Sequence, residues 1–377
     1  MAQRKKKITF IIVIIIFILY FFAAARPVPR EMILAHEWIS STEDETVFEL
    51  SRQPERLLPF TLGYSYGYVN TTGQFAVNRI NANEIYLSGS LWTEYEAEPE
   101  NITINNINNG AEIIINSADG YPVLLDNRIF ILGRDQNSLS AVDSGGNILW
   151  TYDFGAPLTC IDAAAGYVVT GSLDGLMEVF NINGERIFYF TPDGSRYSVI
   201  LGCAISRDGS RIGIICGIDQ QRFLLLERFG NESDYRVLYH EFLDDSFRRP
   251  VRVSFIDNDQ SIVFERVGGI GCYNIRSRRV VHIPLDGEIA AMDESGDQGI
   301  LFLVTAAAGY PQDPAEKHLV GIHFTQDKFF GLFKTSPQDM IFLNASFKSD
   351  DVFLGRAGSM LVAGGGSALI SFKLEEK

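Results

Sequence analysis

The chain has 377 residues, 46% hydrophobic and 12% aromatic, enough to bury a large core, and its 21% charged fraction is too ordinary for a disordered protein. A formal charge of -15 leaves no overall basic footprint of the kind that binders of phosphate backbones need, so no nucleic acid is expected as a partner. The four cysteines, Cys160, Cys203, Cys216 and Cys272, form no C-x-x-C pair, which excludes the usual zinc spacing and a thioredoxin motif.

In chain order, the first signal is a basic cluster, Arg4, Lys5, Lys6 and Lys7, followed by an uncharged, mostly aliphatic and aromatic run from Ile8 to Ala25. The run approaches the roughly 20 residues that cross a bilayer as a helix, and the positive flank should stay in the cytoplasm. It predicts a cytoplasmic tail at 1–7, a transmembrane signal anchor at 8–25 in an inner membrane, and an extracytoplasmic remainder. The competing reading is a signal peptide cleaved at Ala23-Ala24-Ala25, which would release the chain to the periplasm. Residues 26–45 read as a stalk: Arg26 to Arg30 holds two prolines, and Glu31 to Ser40 suggests one or two helical turns.

From 46 to 377 the sequence predicts one all-β domain with almost no helical periodicity. Asn137 to Phe154, NSLSAVDSGGNILWTYDF, reads as two short strands around the turn Asp143-Ser144-Gly145-Gly146. About 40 residues later Gly175 to Phe190 repeats the arrangement around Asn181-Ile182-Asn183-Gly184. All-β units of that period predict a β-propeller. Seven four-stranded segments can be cut: Leu62–Ile107, Gly120–Phe154, Ala156–Phe190, Tyr197–Phe242, Val251–Pro284, Glu288–Lys334 and Asp339–Leu374. Dividing Leu62 to Lys377 by seven gives about 45 residues each, a blade length, with six or eight blades as alternatives. The strand Thr46 to Ser51 is the candidate clasp, pairing near Leu369 to Leu374 to close the ring. Ala306 to Lys317 reads as an insertion on one face of the sixth segment.

The residues LSAVDSGGNILW, Leu139 to Trp150, resemble the repeat of pyrroloquinoline-quinone-type propellers, in which a strand ending in Ala-x-Asp passes through a Gly turn into a strand ending in Trp. MEVFNINGERIFYF in the third segment is similar, with Phe180 and Phe188 or Phe190 at the corresponding places. The tryptophan-aspartate repeat family is a weaker match. The resemblance implies either a quinone-dependent dehydrogenase or a non-catalytic periplasmic scaffold, such as the lipoprotein that assists outer-membrane barrel assembly.

Catalytic constellations are not found. The chain holds only Trp38, Trp92 and Trp150, too few for a tryptophan-rich quinone pocket, and no G-x-S-x-G elbow occurs. His318 and His323 lie five apart in an expected strand and would point to opposite faces. Asp293, Glu294 and Asp297 lack the spacing of a calcium loop and read as a turn. Cys203 and Cys216 could face each other across a hairpin, though buried thiols are the plainer reading. No cofactor, metal or catalytic residue is therefore assigned.

Charge carries the remaining clue. Arg248, Arg249, Arg252 and Arg266 fall in loops expected on one face, beside the Ala306 to Lys317 insertion, with Arg276, Arg278 and Arg279 on the opposite face. Arginine pairs bidentately with carboxylate and phosphate, so the first four form a candidate docking patch, against the alternative of solvated pairing with Asp244 and Asp245. Glu94, Glu96, Glu98 and Glu100 would make an acidic ridge if extended. The reading is a bacterial, membrane-tethered, extracytoplasmic propeller that binds envelope proteins without catalysis; the alternatives are a barrel-assembly helper and a quinone-dependent dehydrogenase.

Overall fold

A computed structural model describes residues 13–17, 20, 32–47, 56–116, 118–307, 316–324 and 337–376. Among these residues the chain forms eight four-stranded antiparallel sheets. Six are built from consecutive strands. Blade 2 takes Glu84–Leu87, Leu91–Tyr95, Asn101–Asn106 and Glu112–Asn116; blade 3 takes Gly120–Leu125, Arg128–Gly133, Ser138–Val142 and Ile148–Asp153. Blade 4 takes Leu158–Ala164, Tyr167–Ser172, Met177–Phe180 and Arg186–Phe190; blade 5 takes Ile200–Ile205, Arg211–Cys216, Arg222–Arg228 and Tyr235–Phe242. Blade 6 takes Val253–Ile256, Ser261–Arg266, Gly269–Asn274 and Arg279–Pro284; blade 7 takes Glu288–Met292, Ile300–Ala306, Glu316–His323 and Ile341–Lys348.

The two remaining blades complete themselves from the N-terminal side. Blade 1 takes Leu58–Leu62, Ser65–Val69 and Phe75–Ile80, with Thr46–Val47 against its third strand. Blade 8 takes Val352–Ala357, Met360–Gly365 and Ala368–Glu376, and its outer strand is Met32–Ser41, running from Met32 opposite Glu376 to Ser41 opposite Ala368. First strands of blades 1 and 8 touch, and Leu58, Phe60 and Val69 share a buried cluster with Met360, Val362 and Leu369. The ring is closed.

Three expectations are corrected here. There are eight blades, not seven. The segment read as Leu62 to Ile107 contains two whole strands of blade 1 and the first three strands of blade 2, whose fourth, Glu112–Asn116, lies beyond it. Blades 2, 3, 4 and 6 span only 32 to 34 residues while blade 7 spans 61, and an even 45-residue division hid one of them. The clasp is Met32–Ser41; of the expected clasp Thr46 to Ser51 only Thr46–Val47 is described, and it pairs with blade 1, so the propeller begins within the expected stalk and the expected helical turns are a strand. The third correction concerns the transmembrane helix at 8–25. Only residues 13–17 and 20 of that run are described; they are helical, and among the described residues no helix is long and apolar enough to cross a membrane. Arg4, Lys5, Lys6 and Lys7 lie outside the described residues.

Adjacent blades pack face to face, which is why their strands are apolar on both sides. Every residue of Ile200–Ile205 is buried, and Val169, Met177 and Val179 of blade 4 join Ile212, Ile214 and Leu224 of blade 5 in one cluster. Phe223 of blade 5 stacks on Phe264 of blade 6 with ring centroids 4.0 Å apart. Such pairs add roughly 0.5–1.5 kcal/mol to the burial itself.

The repeat signature is a turn with a side-chain hub. The Asp143 carboxylate accepts from the backbone N–H groups of Gly145 and Asn147 at 2.8 and 2.9 Å. Asn181 does the same for Asn183 and Glu185, both at 3.0 Å, and Asn70 for Thr72 and Gln74 at 3.0 and 2.8 Å. Two of these turns receive a tryptophan from the preceding blade: Trp150 donates to the Ile182 carbonyl and Trp38 to the Thr71 carbonyl, both at 3.0 Å. Each indole lies on the turn glycine, where an added Cβ would come within 2.5 Å of Trp150 at Gly184 and 2.7 Å of Trp38 at Gly73. Both glycines have positive φ, 78° and 85°, which also favours the absence of a side chain.

Candidate functional site

Two regions gather polar side chains beyond what the blades need to pack. The first is the face carrying the links between blades and the loops between second and third strands. Arg249 and Arg252 precede the first strand of blade 6, and Arg266 ends its second, so the fold brings them together around Glu265. The buried Glu265 carboxylate, 3% exposed, receives Arg249 at 2.8 and 3.2 Å and the backbone N–H of Arg252 at 3.1 Å. Arg249 also reaches Glu288 at 3.2 Å and lies 4.3 Å from the Phe247 ring centroid. Its role is to tie blade 6 to blade 7. Arg266 pairs with Asp244 at 3.0 Å. Arg248 is exposed and makes no ion pair with a described residue, and the exposed Arg252 guanidinium contacts only the Ala290 carbonyl, at 3.4 Å. Arg276, Arg278 and Arg279 lie at or beside the turn between the third and fourth strands, the other end of the blade from Arg266.

Sequence reasoning missed the apolar side chains on the same face. Tyr197, in the link between blades 4 and 5, is 61% exposed, and Phe242, Leu173 and Val267 are 52%, 52% and 37% exposed. Arg222 lies 5.1 Å from the Phe242 ring and donates to the Asp193 carbonyl at 3.0 Å. Arg196 pairs with Asp219 at 3.3 Å. The signal was available as exposed-loop aromatics in FLDDSFRR and SRYS, without any periodic partner.

The second region is the axis. A cavity of about 320 Å³ is lined by Leu125, Ile161, Asp162, Cys203 to Ile205, Val253 to Phe255, and Glu294, with Arg207 and Asp259 also in its wall. Most of these belong to first strands, blade 3 through blade 6, with Glu294 following the first strand of blade 7. Burial pushes the Asp162 carboxyl up to about 6, against the hydrogen bonds from the Ile205 and Ala163 N–H groups, both at 2.8 Å. Burial raises Glu294 as well, and Arg252 offsets part of it. Asp162 is the single charge in an otherwise uncharged strand, LTCIDAA, which was the readable clue.

The other expected groupings resolve differently. Asp293, Glu294 and Asp297 do not converge: Asp293 caps Ser295 at 2.6 and 3.0 Å and faces the buried Arg356 at 3.6 Å, while Glu294 turns to the axis. The acidic ridge does not form, because the strand ends at Tyr95; Glu94 binds Arg79 and Asn81 at 3.3 and 2.6 Å, and Glu98 binds Arg134 at 3.5 Å. All four cysteines are free thiols, and Cys203 lies opposite Ile214 while Cys216 lies opposite Ile200. Val267-Gly268 is a hairpin turn and Gly269 opens the third strand of blade 6. Most of the Ala306 to Lys317 insertion lies outside the described residues. No group of three or more His, Cys, Asp or Glu placed to hold a metal occurs among the described residues.

A family model described as "beta-propeller protein" matches residues 1–377. An uncharacterized protein of Treponema pallidum (strain Nichols) is 26% identical over 240 residues, which is 63% of this chain and 62% of that protein, so the match spans less than two thirds of the relative's length. Among solved structures, the computationally designed Ika8 protein is similar at a TM-score of 0.55 and 14% identity, over 92% of this chain and 100% of that one. BamB from Moraxella catarrhalis is similar at a TM-score of 0.53 and 10% identity, over 90% of this chain and 100% of that one. At these identities the likeness is one of fold.

Proposed function

The chain belongs to the beta-propeller protein family, and from that premise we propose that it is a non-catalytic scaffold that binds proteins through the face of blades 4 to 6. The observation that carries the reading is the mixture on that face: exposed Tyr197, Phe242, Leu173 and Val267 interleaved with Arg248, Arg252 and Arg266. Aromatic side chains and arginine are the types enriched where proteins bind one another, and a rigid ring presents them at no ordering cost. The occupant that fits is an acidic protein segment with apolar anchors, since the exposed Arg248 guanidinium makes no ion pair with a described residue and arginine pairs bidentately with carboxylates. The basic cluster Arg4 to Lys7 before the uncharged 8–25 run supports export, which would put the partners among envelope proteins.

The test is affinity capture from native lysate with the whole chain. Replacing Tyr197→Ala, Phe242→Ala and Arg248→Glu together should remove the captured proteins and leave the β circular-dichroism spectrum unchanged. Recovery of the same proteins with the triple variant would refute a docking role for this face.

A further inference from the structure

The axial cavity holds more negative charge than its walls neutralise. Asp162, Asp259 and Glu294 line it against one lining cation, Arg207, while Arg252, outside the lining, offsets part of the burial of Glu294. Asp259 accepts the Arg207 backbone N–H at 2.9 Å and lies in the field of its guanidinium, which itself donates to the Asn258 side chain at 2.7 Å. Asp162 and Glu294 remain, from blades 4 and 7, three blades apart around the ring. Each Asp162 oxygen accepts one backbone N–H and keeps a lone pair for a further donor. Glu294 is walled in by protein while its carboxylate stays open to the cavity, and no described residue donates a hydrogen bond to it.

We propose that this cavity binds a small organic dication, a short-chain diamine or polyamine, with its ammonium groups on Asp162 and Glu294. A volume of about 320 Å³ is at the lower end of small-molecule sites. The carboxylates do not form a cluster with the three close ligands that a bare metal ion takes, so the occupant is an extended cation. Leu125, Ile161, Val253 and Phe255 offer apolar wall to the methylenes between the ammonium groups. Arg207 is exposed and lines the cavity, which places the entrance at the face opposite the arginine docking surface. Keeping charge in such a place lowers the stability of the empty protein, a cost typical of binding sites. The groups that face Asp162 are Glu294, Asp126, Tyr86, Cys203 and the Arg207–Asp259 pair, so no nearby cation already serves it.

Calorimetric titration of the full chain with putrescine and with spermidine, at about pH 7.5 and roughly 0.15 M salt, tests this. One amine should bind per chain, and Glu294→Gln and Asp162→Asn should each weaken it at least about tenfold, the loss expected for one charge-assisted hydrogen bond. Glu96→Gln, on the outer surface, should leave binding unchanged. Because Glu294 is open to the cavity, its variant should fold and so carries the test if Asp162→Asn does not. Absence of saturable binding by both amines would overturn the proposal. So would equal binding by wild type and Glu294→Gln, which would assign the heat to the acidic exterior.

Discussion

Trp38 and Trp150 make the same joint in different blades, and the joint has two separable parts. Trp150→Phe keeps a ring over Gly184 and loses the donor to Ile182, so equilibrium denaturation should register a loss of about 1 kcal/mol. Gly184→Ala should cost more, roughly 1–3 kcal/mol, because the new Cβ would overlap the indole in a backbone conformation that suits glycine. Asp162 behaves oppositely. Its carboxyl is raised to about 6 in the folded protein, above the value near 3.9 of an open chain, so the folded state favours the protonated form. The resulting penalty is absent below about pH 4 and complete above about pH 6. Asp162→Asn should therefore gain stability relative to wild type as pH rises through that window, by up to about 3 kcal/mol. A difference that stays flat with pH in parallel denaturation curves would contradict it.

At the scale of elements, blades 7 and 8 are joined by a buried ion pair. Arg356 donates to the Ile300 and Gly358 carbonyls at 2.8 and 2.7 Å and faces Asp293, both side chains having almost no exposure. Arg356→Met would leave the carboxylate buried without its cation and should cost about 3–5 kcal/mol, most of which Asp293→Asn in the same chain should restore. The hairpins around Asp143 and Asn181 were legible in the sequence because their geometry is set by local residues: a side-chain acceptor, then glycine. The strand Met32–Ser41 was not. As the outermost strand of its blade it has one edge in solvent, so His36 and Glu37 interrupt any alternation, and its pairing partner lies at the far end of the chain. Trp38 matched Trp150 in role, but the flanking HEWISS shares little with NILWTYDF.

For the whole molecule, the repeat period gave the class of fold and missed the count. Blade 2 offers blade 3 no copy of the Gly-turn-Trp joint, since backbone of Ile114 rather than an indole meets the Gly146 turn. The axial cavity was illegible for a related reason. Asp162 and Glu294 are distant in sequence and meet only when eight first strands surround one axis. The arginines were visible as a cluster, yet only the folded face separates Arg249, committed to Glu265 and Glu288, from the unpaired Arg248. A partner held through Arg248 and Arg252 should be released in part as salt is raised, the apolar contacts at Tyr197 and Phe242 persisting, which salt-step elution from the captured protein would measure.

The pairing of Ser41 with Ala368 also sets a clock for biosynthesis. The blade that seals the circle takes its outer strand from one of the earliest described segments and its other three from the latest described ones, Val352–Ala357, Met360–Gly365 and Ala368–Glu376. Until those residues emerge, Met32–Ser41 has no sheet to join and both terminal blades expose an unpaired edge. Blades 2 to 7 can form as the chain lengthens, but the ring closes only once the strand Ala368–Glu376 has emerged, and the interval before that is when the protein is most open to mispairing with a second copy.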